Sequence, residues 1–315
     1  MKLLVLGGTV FLGRHVVNEA LERGHEVTIY SRGLHGEPNP GAEHVIGDRA
    51  DVTPLKGRAW DAAIDTSGFE PEQVAASASL DVGHYVFVSS CNAYPDWPEQ
   101  PVDEDSPTWQ DGEGYGQGKA ASERVAHAAM GGRFATVRAG LIVGTHDNIF
   151  RLPWWVRRIA EGGTVPAPGN PDQELQIIDA RDLASFCLDL AEQRIAGAFN
   201  GTGPIGQTTW GELLGAAGDA ELVWIPDEKL VEAKVAEWTE LPMWLPADAY
   251  PGTWRIGTAK AQEAGLTTRP VVETVQDVRA WLENGGEEAI GDYRAEHRPP
   301  KMSAEREAAL LQLVW

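Results

Sequence analysis

A glycine-rich stretch near the start of the chain constrains the fold more than any other feature. Residues 2–6 form a short, mostly apolar run, as a buried parallel strand does. Glycines follow at positions 7, 8 and 13, and an amphipathic helical pattern over residues 12–23 ends at Gly24, which can take the positive φ of a helix C-cap. Residues 26–30 have the pattern of a second strand. The sequence therefore predicts a strand, a glycine loop, a helix and a strand in that order, as in a βαβ unit.

The position of these glycines indicates a binding function as well as a turn. A residue without Cβ lets the backbone approach a pyrophosphate closely, and the free N–H groups of a helix N-terminus favour negative charge. We therefore predict a dinucleotide site in this loop. Its residues are Gly7, Gly8, Thr9, Val10, Phe11, Leu12 and Gly13. The alternative is a glycine-rich turn that only packs the helix tightly on the sheet.

Strands and helices continue to alternate after this unit. Short apolar runs occur at residues 44–46, 62–65, 85–89 and 135–137, with helical patterns at residues 71–80 and 114–130 between them. This alternation predicts an α/β fold with a doubly wound parallel Rossmann sheet and helices on both faces. We assign residues 1–145 plus 175–203 to the dinucleotide-binding domain. Residues 146–174 plus 204–315 form the predicted smaller substrate lobe and C-terminal helix.

Several local patterns refine the second half of the chain. Residues 148–163 are predicted to be helical, and Thr209 with Glu212 forms a capping box. Residues 284–300 have the composition of an exposed linker. Ser303 is expected to cap a final helix that packs through its apolar side chains, which are Leu310, Leu311, Leu313 and Trp315.

Composition sets the class of protein and the partners to expect. The chain has 315 residues, of which 43% are hydrophobic and 23% charged, as in a soluble globular protein. No apolar run is long enough for a membrane span, and the first apolar run is too short for a signal peptide. Cys91 and Cys187 form neither a disulfide framework nor a metal-binding spacing, so we expect a cytoplasmic protein without a metal. The net charge of −21 disfavours nucleic acid and membrane partners.

A tyrosine and a lysine on one predicted helix are the first candidates for catalysis. Tyr115 and Lys119 are four residues apart, so both side chains lie on the same helix face. A free tyrosine, with a pKa of about 10, is a poor base at neutral pH, and a neighbouring ammonium favours its phenolate. Ser89 and Ser90 end a predicted strand, where the ligand crevice of a doubly wound sheet opens. Alternatively, Tyr115 and Lys119 lie on a helix surface and the serines only end a strand.

Five segments together resemble a known family. They are GGTVFLG, SSCNAY, Tyr115-x-x-x-Lys119, VRAGLIVG and IIDARDLA. The chain is similar over nearly its whole length to the extended short-chain dehydrogenase/reductase family, known as the NAD-dependent epimerase/dehydratase family. The resemblance implies that Ser90, four residues before Tyr94, acts with Tyr115 and Lys119. In the family, tyrosine moves the substrate proton, lysine holds the nicotinamide ribose, and serine orients the substrate oxygen.

The residues after the second strand predict which cofactor binds. NAD-binding units carry an acidic residue there, whereas this chain has Ser31 followed by Arg32, whose guanidinium suits a 2′-phosphate. We therefore expect NADP(H) in preference to NAD(H), the alternative being that Arg32 is a solvated loop residue. The resemblance also places Asp48 and Arg49 at the adenine, although this pair also fits a strand-end turn. Val10 departs from the family by replacing the middle glycine of the loop.

The later segments bear on the substrate. Nucleotide-sugar epimerases carry an arginine seven residues before the Asp-Leu of the later motif, where this chain has Leu175. SSCNAY also lacks the Thr-Asp-Glu of the sugar-nucleotide dehydratases. We therefore expect a small-molecule substrate that is an uncharged or less anionic alcohol or ketone. Trp238, Trp244 and Trp254 either contact it or belong to the core.

These observations predict an NADP(H)-dependent oxidoreductase or epimerase that uses Ser90, Tyr115 and Lys119, with a homodimer as a possible assembly. The alternative is a nucleotide-binding protein on the same fold that has lost catalysis, such as the RNA-binding relatives from chloroplasts. Cys91, next to this site, is expected to be a packing residue. The acidic residues between Ser90 and Tyr115 are expected to lie in a solvated loop or on the pocket rim; they are Asp103, Glu104, Asp105 and Asp111.

Overall fold

The apolar runs of the first half of the chain form one parallel sheet, which we describe from a computed structural model of residues 1–95 and 101–314. The strands in chain order are β1 (Lys2–Leu6), β2 (Glu26–Ser31), β3 (Glu43–Ile46), β4 (Ala59–Asp65), β5 (Asp81–Ser90), β6 (Phe134–Ala139), β7 (Leu141–Val143), β8 (Thr164–Pro168), β9 (Glu174–Leu175), β10 (Ile177–Asp179), β11 (Gly197–Gly201), β12 (Thr208–Thr209) and β13 (Glu221–Ile225).

The helices connect and cover these strands. They are α1 (Phe11–Glu22), α2 (Pro71–Ala78), α3 (Tyr115–Met130), α4 (Arg151–Ala160), α5 (Ala180–Gln193), α6 (Trp210–Gly215), α7 (Asp227–Glu232), α8 (Ala259–Glu263), α9 (Val271–Glu283), α10 (Gly286–Ile290) and α11 (Ala304–Leu311). None of the helices described combines the length and the apolar character that a bilayer crossing requires.

Seven of the strands form the main sheet in the order β11-β6-β5-β4-β1-β2-β3, and every neighbouring pair is parallel. Val16, Val17 and Leu183 of α1 and α5 pack on one face, while Val74 and Ala126 of α2 and α3 pack on the other. This confirms the predicted doubly wound α/β fold. The strand order reverses between β1 and β4, and such a reversal opens a crevice at the carboxyl ends of the strands.

A second apolar cluster lies in the later part of the chain. It contains the fully buried rings of Trp155, Trp210 and Trp244, and it includes residues of the parallel pair β8–β13. The capping box of Thr209 and Glu212 is confirmed, since each side chain bonds to the backbone of the other residue. The division into two domains stays a prediction, although this cluster draws mainly on the part assigned to the smaller lobe.

Helix α4 is shorter than the sequence predicts. It begins at Arg151 instead of residue 148, because the Asp147 carboxylate accepts the N–H groups of Ile149 and Arg151 and Phe150 has a φ of 65°. It ends at Ala160 because Gly162 and Gly163 have positive φ. The turn before the helix therefore leaves Arg151, a charged residue, in its first turn.

The interpretation of residues 284–300 as an exposed linker is wrong. This segment contains helix α10 and a short 3₁₀ turn at Ala295–His297. The Tyr293 ring stacks on the His35 ring with centroids 4.3 Å apart. Arg298 donates hydrogen bonds to the carbonyl oxygens of Asn148 and Tyr293, at 3.1 and 3.2 Å. The polar composition of the segment conceals contacts with residues far away in sequence.

The final helix follows the prediction. Ser303 caps α11 by accepting the N–H of Arg306 at 3.1 Å. Leu310 is fully buried and Leu313 packs against the second apolar cluster, whereas Leu311, also predicted to pack, is only half-buried and does not belong to that cluster. Trp315, predicted to pack with them, lies outside the described residues.

Candidate active site

A cleft of about 1200 Å³ runs along the carboxyl edge of the main sheet. The glycine loop and the end of β2 line one part of it, and Ser90, Tyr115 and Lys119 line another. The C-terminal segment supplies a further wall through Tyr293 and Arg294. The cleft thus brings the predicted dinucleotide loop and the predicted catalytic residues into one site.

The glycine loop fits a pyrophosphate group. Gly7 and Gly8 have φ values of 105° and 97°, which residues with side chains rarely adopt. A Cβ on Gly13 would lie 2.5 Å from the backbone nitrogen of Gly8, so helix α1 packs directly against the loop. Val10 has an extended φ of −131°, which a β-branched residue adopts without strain. The substitution at the middle glycine position is therefore compatible with the backbone of this loop.

The end of β2 lacks the carboxylate of NAD-binding units. Ser31 Oγ lies 2.8 Å from Nε2 of His44. Arg32 is exposed, lines the cleft, and forms no ion pair with any described residue. The Asp48 carboxylate also lines the cleft and accepts the N–H of Ala50 at 2.8 Å. Arg32 therefore has its guanidinium available at the mouth of the cleft.

Arg49 has a structural environment that the sequence does not predict. Its guanidinium forms a buried ion pair with Asp65 and bonds to Ser67 and Ser77 at 3.0 and 2.9 Å. The Tyr85 hydroxyl donates to the same carboxylate at 2.7 Å. This ion pair gives Arg49 a structural role, while its contact with an adenine stays a prediction, since the residue also lines the cleft and no described residue accepts a hydrogen bond from its Nε.

Ser90 and Tyr115 lie together in the cleft. Ser90 ends β5, and its hydroxyl oxygen accepts the N–H of Asn92 at 3.2 Å. Tyr115 begins α3, and 52% of its surface is exposed. The surrounding walls desolvate the phenol and raise its pKa, whereas hydrogen bonding to Ser90 and the positive charges of Arg151 and Arg294 lower it. Two arginines therefore lower the pKa of the phenol in this structure.

Lys119 is almost fully buried below the tyrosine. Its Nζ donates hydrogen bonds to the carbonyl oxygens of Gly68 and Val88, at 2.7 and 2.9 Å. Nζ also lies 5.9 Å from the centre of the Tyr115 ring. Burial lowers the pKa of Lys119 to about 8, although the Asp65 carboxylate opposes the shift. The ammonium therefore titrates close to the physiological range.

A buried polar network beneath the site is missed by sequence reasoning. Ser89, the other serine at the end of β5, donates to the Glu123 carboxylate, which pairs with Arg138 at 2.9 Å. Arg138 in turn donates to the hydroxyl of Tyr94, also at 2.9 Å. Ser89 is therefore directed into the protein while Ser90 lines the cleft. A glutamate on the buried face of the predicted helix α3 is the one signal that could have revealed the network.

Two further expectations near the site concern Cys91 and the acidic loop. Cys91 is buried and its thiol donates to the Arg138 carbonyl oxygen, which confirms a packing role; burial raises its pKa. Of the acidic loop, Asp103, Asp105 and Asp111 are exposed and none lines the cleft, as the solvated-loop alternative implies. Glu104 departs from it, since it is half-buried and its carboxylate accepts the N–H of Asn200 at 2.7 Å.

The tryptophans divide between core and cleft. Trp244 is fully buried. Trp238 and Trp254 line the cleft, with ring centroids 6.3 Å apart and planes inclined by 18°. Trp238 has a φ of 64°, which is strained for a bulky residue. These two rings give one wall of the cleft an apolar surface.

Two residues bear on nucleotide sugars. Leu175 is fully buried and offers no charge. Arg181 pairs with Asp179 and Asp277 at 2.7 and 2.6 Å and does not line the cleft. Neither position therefore supplies a cation to the cleft.

Comparison with known proteins gives results consistent with this geometry. Residues 72–201 match the model of the NAD dependent epimerase/dehydratase family. The chain is 26% identical to the chloroplast stem-loop binding protein of 41 kDa b of Arabidopsis thaliana, over 60% of this chain and 54% of that protein. It is 28% identical to the epimerase family protein SDR39U1 of Bos taurus, over 70% of this chain and 80% of that protein. The match to the plant protein thus spans about half of its length.

The fold is also that of solved enzymes. The enzyme WbmH of Bordetella bronchiseptica, solved in complex with NAD⁺, superposes with a TM-score of 0.65 and 18% identity over 90% of this chain and 99% of that one. At this level of identity the likeness concerns the fold. The family match over residues 72–201 and this superposition agree: the chain has the Rossmann-like fold of the epimerase/dehydratase enzymes.

Proposed function

We propose that the protein is an NADP(H)-dependent oxidoreductase or epimerase that acts on a secondary alcohol or ketone. One observation carries the proposal: Ser90, Tyr115 and Lys119 line the same cleft as the glycine loop. A hydroxyl, a phenol and an ammonium at the reacting end of a dinucleotide cleft are the groups that proton transfer at a substrate oxygen requires.

Each of the three residues has a distinct task. The Tyr115 phenol would exchange a proton with the substrate oxygen, and the Ser90 hydroxyl would hold that oxygen by a hydrogen bond. Lys119 would bind the ribose hydroxyls of the cofactor, next to the tyrosine. The nicotinamide, when bound, supplies the hydride chemistry. Gly7, Gly8 and the N-terminus of α1 would hold the pyrophosphate.

Arg32 supports the preference for NADP(H). Its guanidinium is exposed at the cleft, beside Ser31, where a carboxylate would repel a 2′-phosphate. The WbmH enzyme was solved with NAD⁺. The preference proposed here therefore rests on Arg32 and Ser31 of this chain alone.

The variant Tyr115→Phe tests the catalytic assignment. It removes the acid/base hydroxyl but little contact area, so turnover of any substrate found in a panel of alcohols and ketones should be lost. The affinity for NADPH should stay close to that of the wild type, which serves as the internal control for folding. Lys119→Ala should weaken both turnover and cofactor binding. Wild-type turnover by the Phe variant would overturn the assignment.

A second candidate function is RNA binding. It is favoured by the likeness to a stem-loop binding protein. It is disfavoured by the net charge of −21, because binding of nucleic acid depends on cations that neutralise phosphates. A gel-shift titration with a stem-loop RNA at physiological salt separates the two. Specific binding together with no turnover of any substrate would favour the second candidate.

A further inference from the structure

Arg151 and Arg294 are two of four cleft-lining arginines, with Arg32 and Arg298, that form no ion pair with any described residue. The chain has 47 acidic residues and only 26 lysines and arginines, so carboxylates are abundant. Many of its arginines are paired with them, as are Arg157, Arg158 and Arg306. Among the described residues, Arg151 and Arg294 form no ion pair, although both line the cleft. Uncompensated cations in a partly enclosed cleft are costly unless a ligand supplies the counter-charge.

Arg151 enters the cleft from the first turn of α4. Its guanidinium lies over the Trp238 ring, 5.8 Å from the ring centre. Its Nε is buried, and no described residue accepts a hydrogen bond from it. The neighbouring carboxylate of Asp147 is fully buried and accepts the backbone N–H groups of Ile149 and Arg151, at 2.9 and 3.1 Å. Burial raises the pKa of the Asp147 carboxyl and the positive charge of Arg151 lowers it, but no hydrogen bond joins the two side chains, so the Arg151 guanidinium is available to a ligand.

Arg294 enters from the C-terminal segment. It has a φ of 54° and lies 5.1 Å from the centre of the Phe69 ring. The preceding residue, Tyr293, stacks on His35, and this contact restrains the backbone next to Arg294. Glu296, the carboxylate of the same cleft wall, lies 3.4 Å from His297 instead. A left-handed conformation at a non-glycine residue in a binding cleft is strain of the kind found at ligand clamps.

The charges of both guanidinium groups act on the Tyr115 phenol. Their charges lower the pKa of the Tyr115 phenol, against the rise that desolvation causes. Both also line the cleft together with Tyr115, so they lie near the space in which a substrate oxygen would meet the phenol. The near-parallel rings of Trp238 and Trp254 give the same space an apolar wall.

From this arrangement we infer that the substrate carries an anionic group, a carboxylate or a phosphate, bound between Arg151 and Arg294 beside Tyr115. The inference rests on the proposed function and specifies its substrate class: an alcohol or ketone with one acidic group and an apolar ring or chain. The guanidinium forks bind the two oxygens of the acidic group, and the tryptophans contact the apolar part. A carboxylate carries one negative charge and is less anionic than the diphosphate of a nucleotide sugar, as the sequence predicts, whereas a phosphate monoester carries nearly the same charge as that diphosphate at neutral pH.

The test uses small ring compounds as probes. Calorimetry on the NADP⁺-loaded protein compares benzoate and phenyl phosphate with benzamide, which has nearly the shape of benzoate but no charge. Loading with NADP⁺ keeps the probes out of the pyrophosphate loop. We expect at least one anion to bind about tenfold or more tightly than benzamide, since hydrogen bonds to charged groups are the stronger ones. The stronger of the two anions identifies a carboxylate or a phosphate site.

Variants locate the binding. Arg151→Gln and Arg294→Gln should each weaken the preferred anion about tenfold to a hundredfold. Arg279→Gln is the matched control, since Arg279 is exposed on α9 and pairs with Glu283, and it should bind the anion like the wild type. Arg294→Lys should retain part of the affinity. Circular dichroism confirms that each variant is folded.

Three results would overturn the inference: no saturable binding of either anion, equal binding of benzamide, or anion binding that neither variant weakens. Failure of the proposed function has a different signature. If Tyr115→Phe keeps wild-type turnover while the anion still depends on both arginines, the catalytic assignment fails and the subsite stands. If turnover depends on Tyr115 but no anion binds, the subsite alone is wrong.

Discussion

Replacing Asp65 by asparagine should weaken both the fold and the control of Lys119. Asp65 ends β4 beneath the cleft and is fully buried. Its oxygens accept hydrogen bonds from Arg49 Nη2 and the Tyr85 hydroxyl, each at 2.7 Å, and from the Ser67 N–H at 3.0 Å. In the variant Asp65→Asn the side chain keeps its shape but loses its negative charge, so the Arg49 guanidinium is buried without its counter-charge.

The loss of stability follows from the ion pair. Breaking a buried pair by removing one partner costs about 3–5 kcal/mol. For 315 residues with an unfolding entropy of about 2.1 cal/mol/K each, this corresponds to a fall in melting temperature of about 5–8 °C. Asp81→Asn is the matched control, because Asp81 is exposed at the start of the adjacent strand β5. We expect it to change stability by no more than about 0.5 kcal/mol.

The same variant should change the titration of Lys119. Burial lowers the pKa of Lys119 to about 8, and Asp65 is the leading charge that opposes this, whereas Arg49 lowers it further. Without the carboxylate, the pKa of Lys119 falls below about 8. The affinity for NADPH should weaken as pH rises and Lys119 loses its proton. This loss of affinity should therefore occur at a lower pH in the variant than in the wild type, which fluorescence titration across pH measures.

Acid should reduce the stability difference between the two proteins. Burial alone raises the pKa of Asp65, but the charge and hydrogen bonds of Arg49 bring it below its usual value. A carboxyl whose pKa is depressed in the folded state stabilises the fold above the unfolded pKa, and this stability is lost as pH falls through the folded pKa. Asparagine has no such dependence. A melting temperature equal to that of the wild type at neutral pH, or an unchanged NADPH profile, would refute this account of Asp65.

Three further predictions concern the cofactor and the substrate. Titration of the apo protein should show tighter binding of NADPH than NADH, and Arg32→Ala should remove most of that difference, about 1.5–3 kcal/mol; equal affinities in the wild type would exclude the role of Arg32. Gly13→Ala should weaken NADPH binding and destabilise the fold by about 1–3 kcal/mol, because the new Cβ meets the Gly8 backbone. The control Gly132→Ala, with open space around the new Cβ, should do neither, and wild-type binding by Gly13→Ala would contradict the pyrophosphate assignment. Calorimetry of the NADP⁺-loaded protein with UDP, GDP and dTDP sugars should show no micromolar binding, and such binding by any of them would disprove the expected substrate class.

The parts of the structure that local patterns encode were predictable from the sequence. The apolar runs and the amphipathic helix beside the glycine loop specify the βαβ unit, because each signal lies within a few residues. Strands β4 and β5 likewise follow from apolar runs, although both start earlier than predicted. The spacing of Tyr115 and Lys119 on one helix sufficed to place them in the same cleft.

Contacts between residues distant in sequence were not predictable. The pairing of Arg49 with Asp65 joins the ends of different strands, so the motif-based assignment of Arg49 to the adenine missed it. The segment at residues 284–300 is polar and looks like a linker, yet Tyr293 stacks on His35 and Arg294 reaches Phe69. Single-sequence patterns carry no signal for such pairings, because both partners are ordinary surface residue types.

A crystal structure of the protein grown with NADP⁺ and the preferred anion of the calorimetric series tests the central claim most directly. The account predicts the pyrophosphate at Gly7 and Gly8 and the nicotinamide ribose within hydrogen-bond distance of Tyr115 and Lys119. The 2′-phosphate is predicted at Arg32. A nucleotide bound elsewhere, or bound in the cleft with its ribose away from Tyr115 and Lys119, would contradict the claim that these residues form a redox active site.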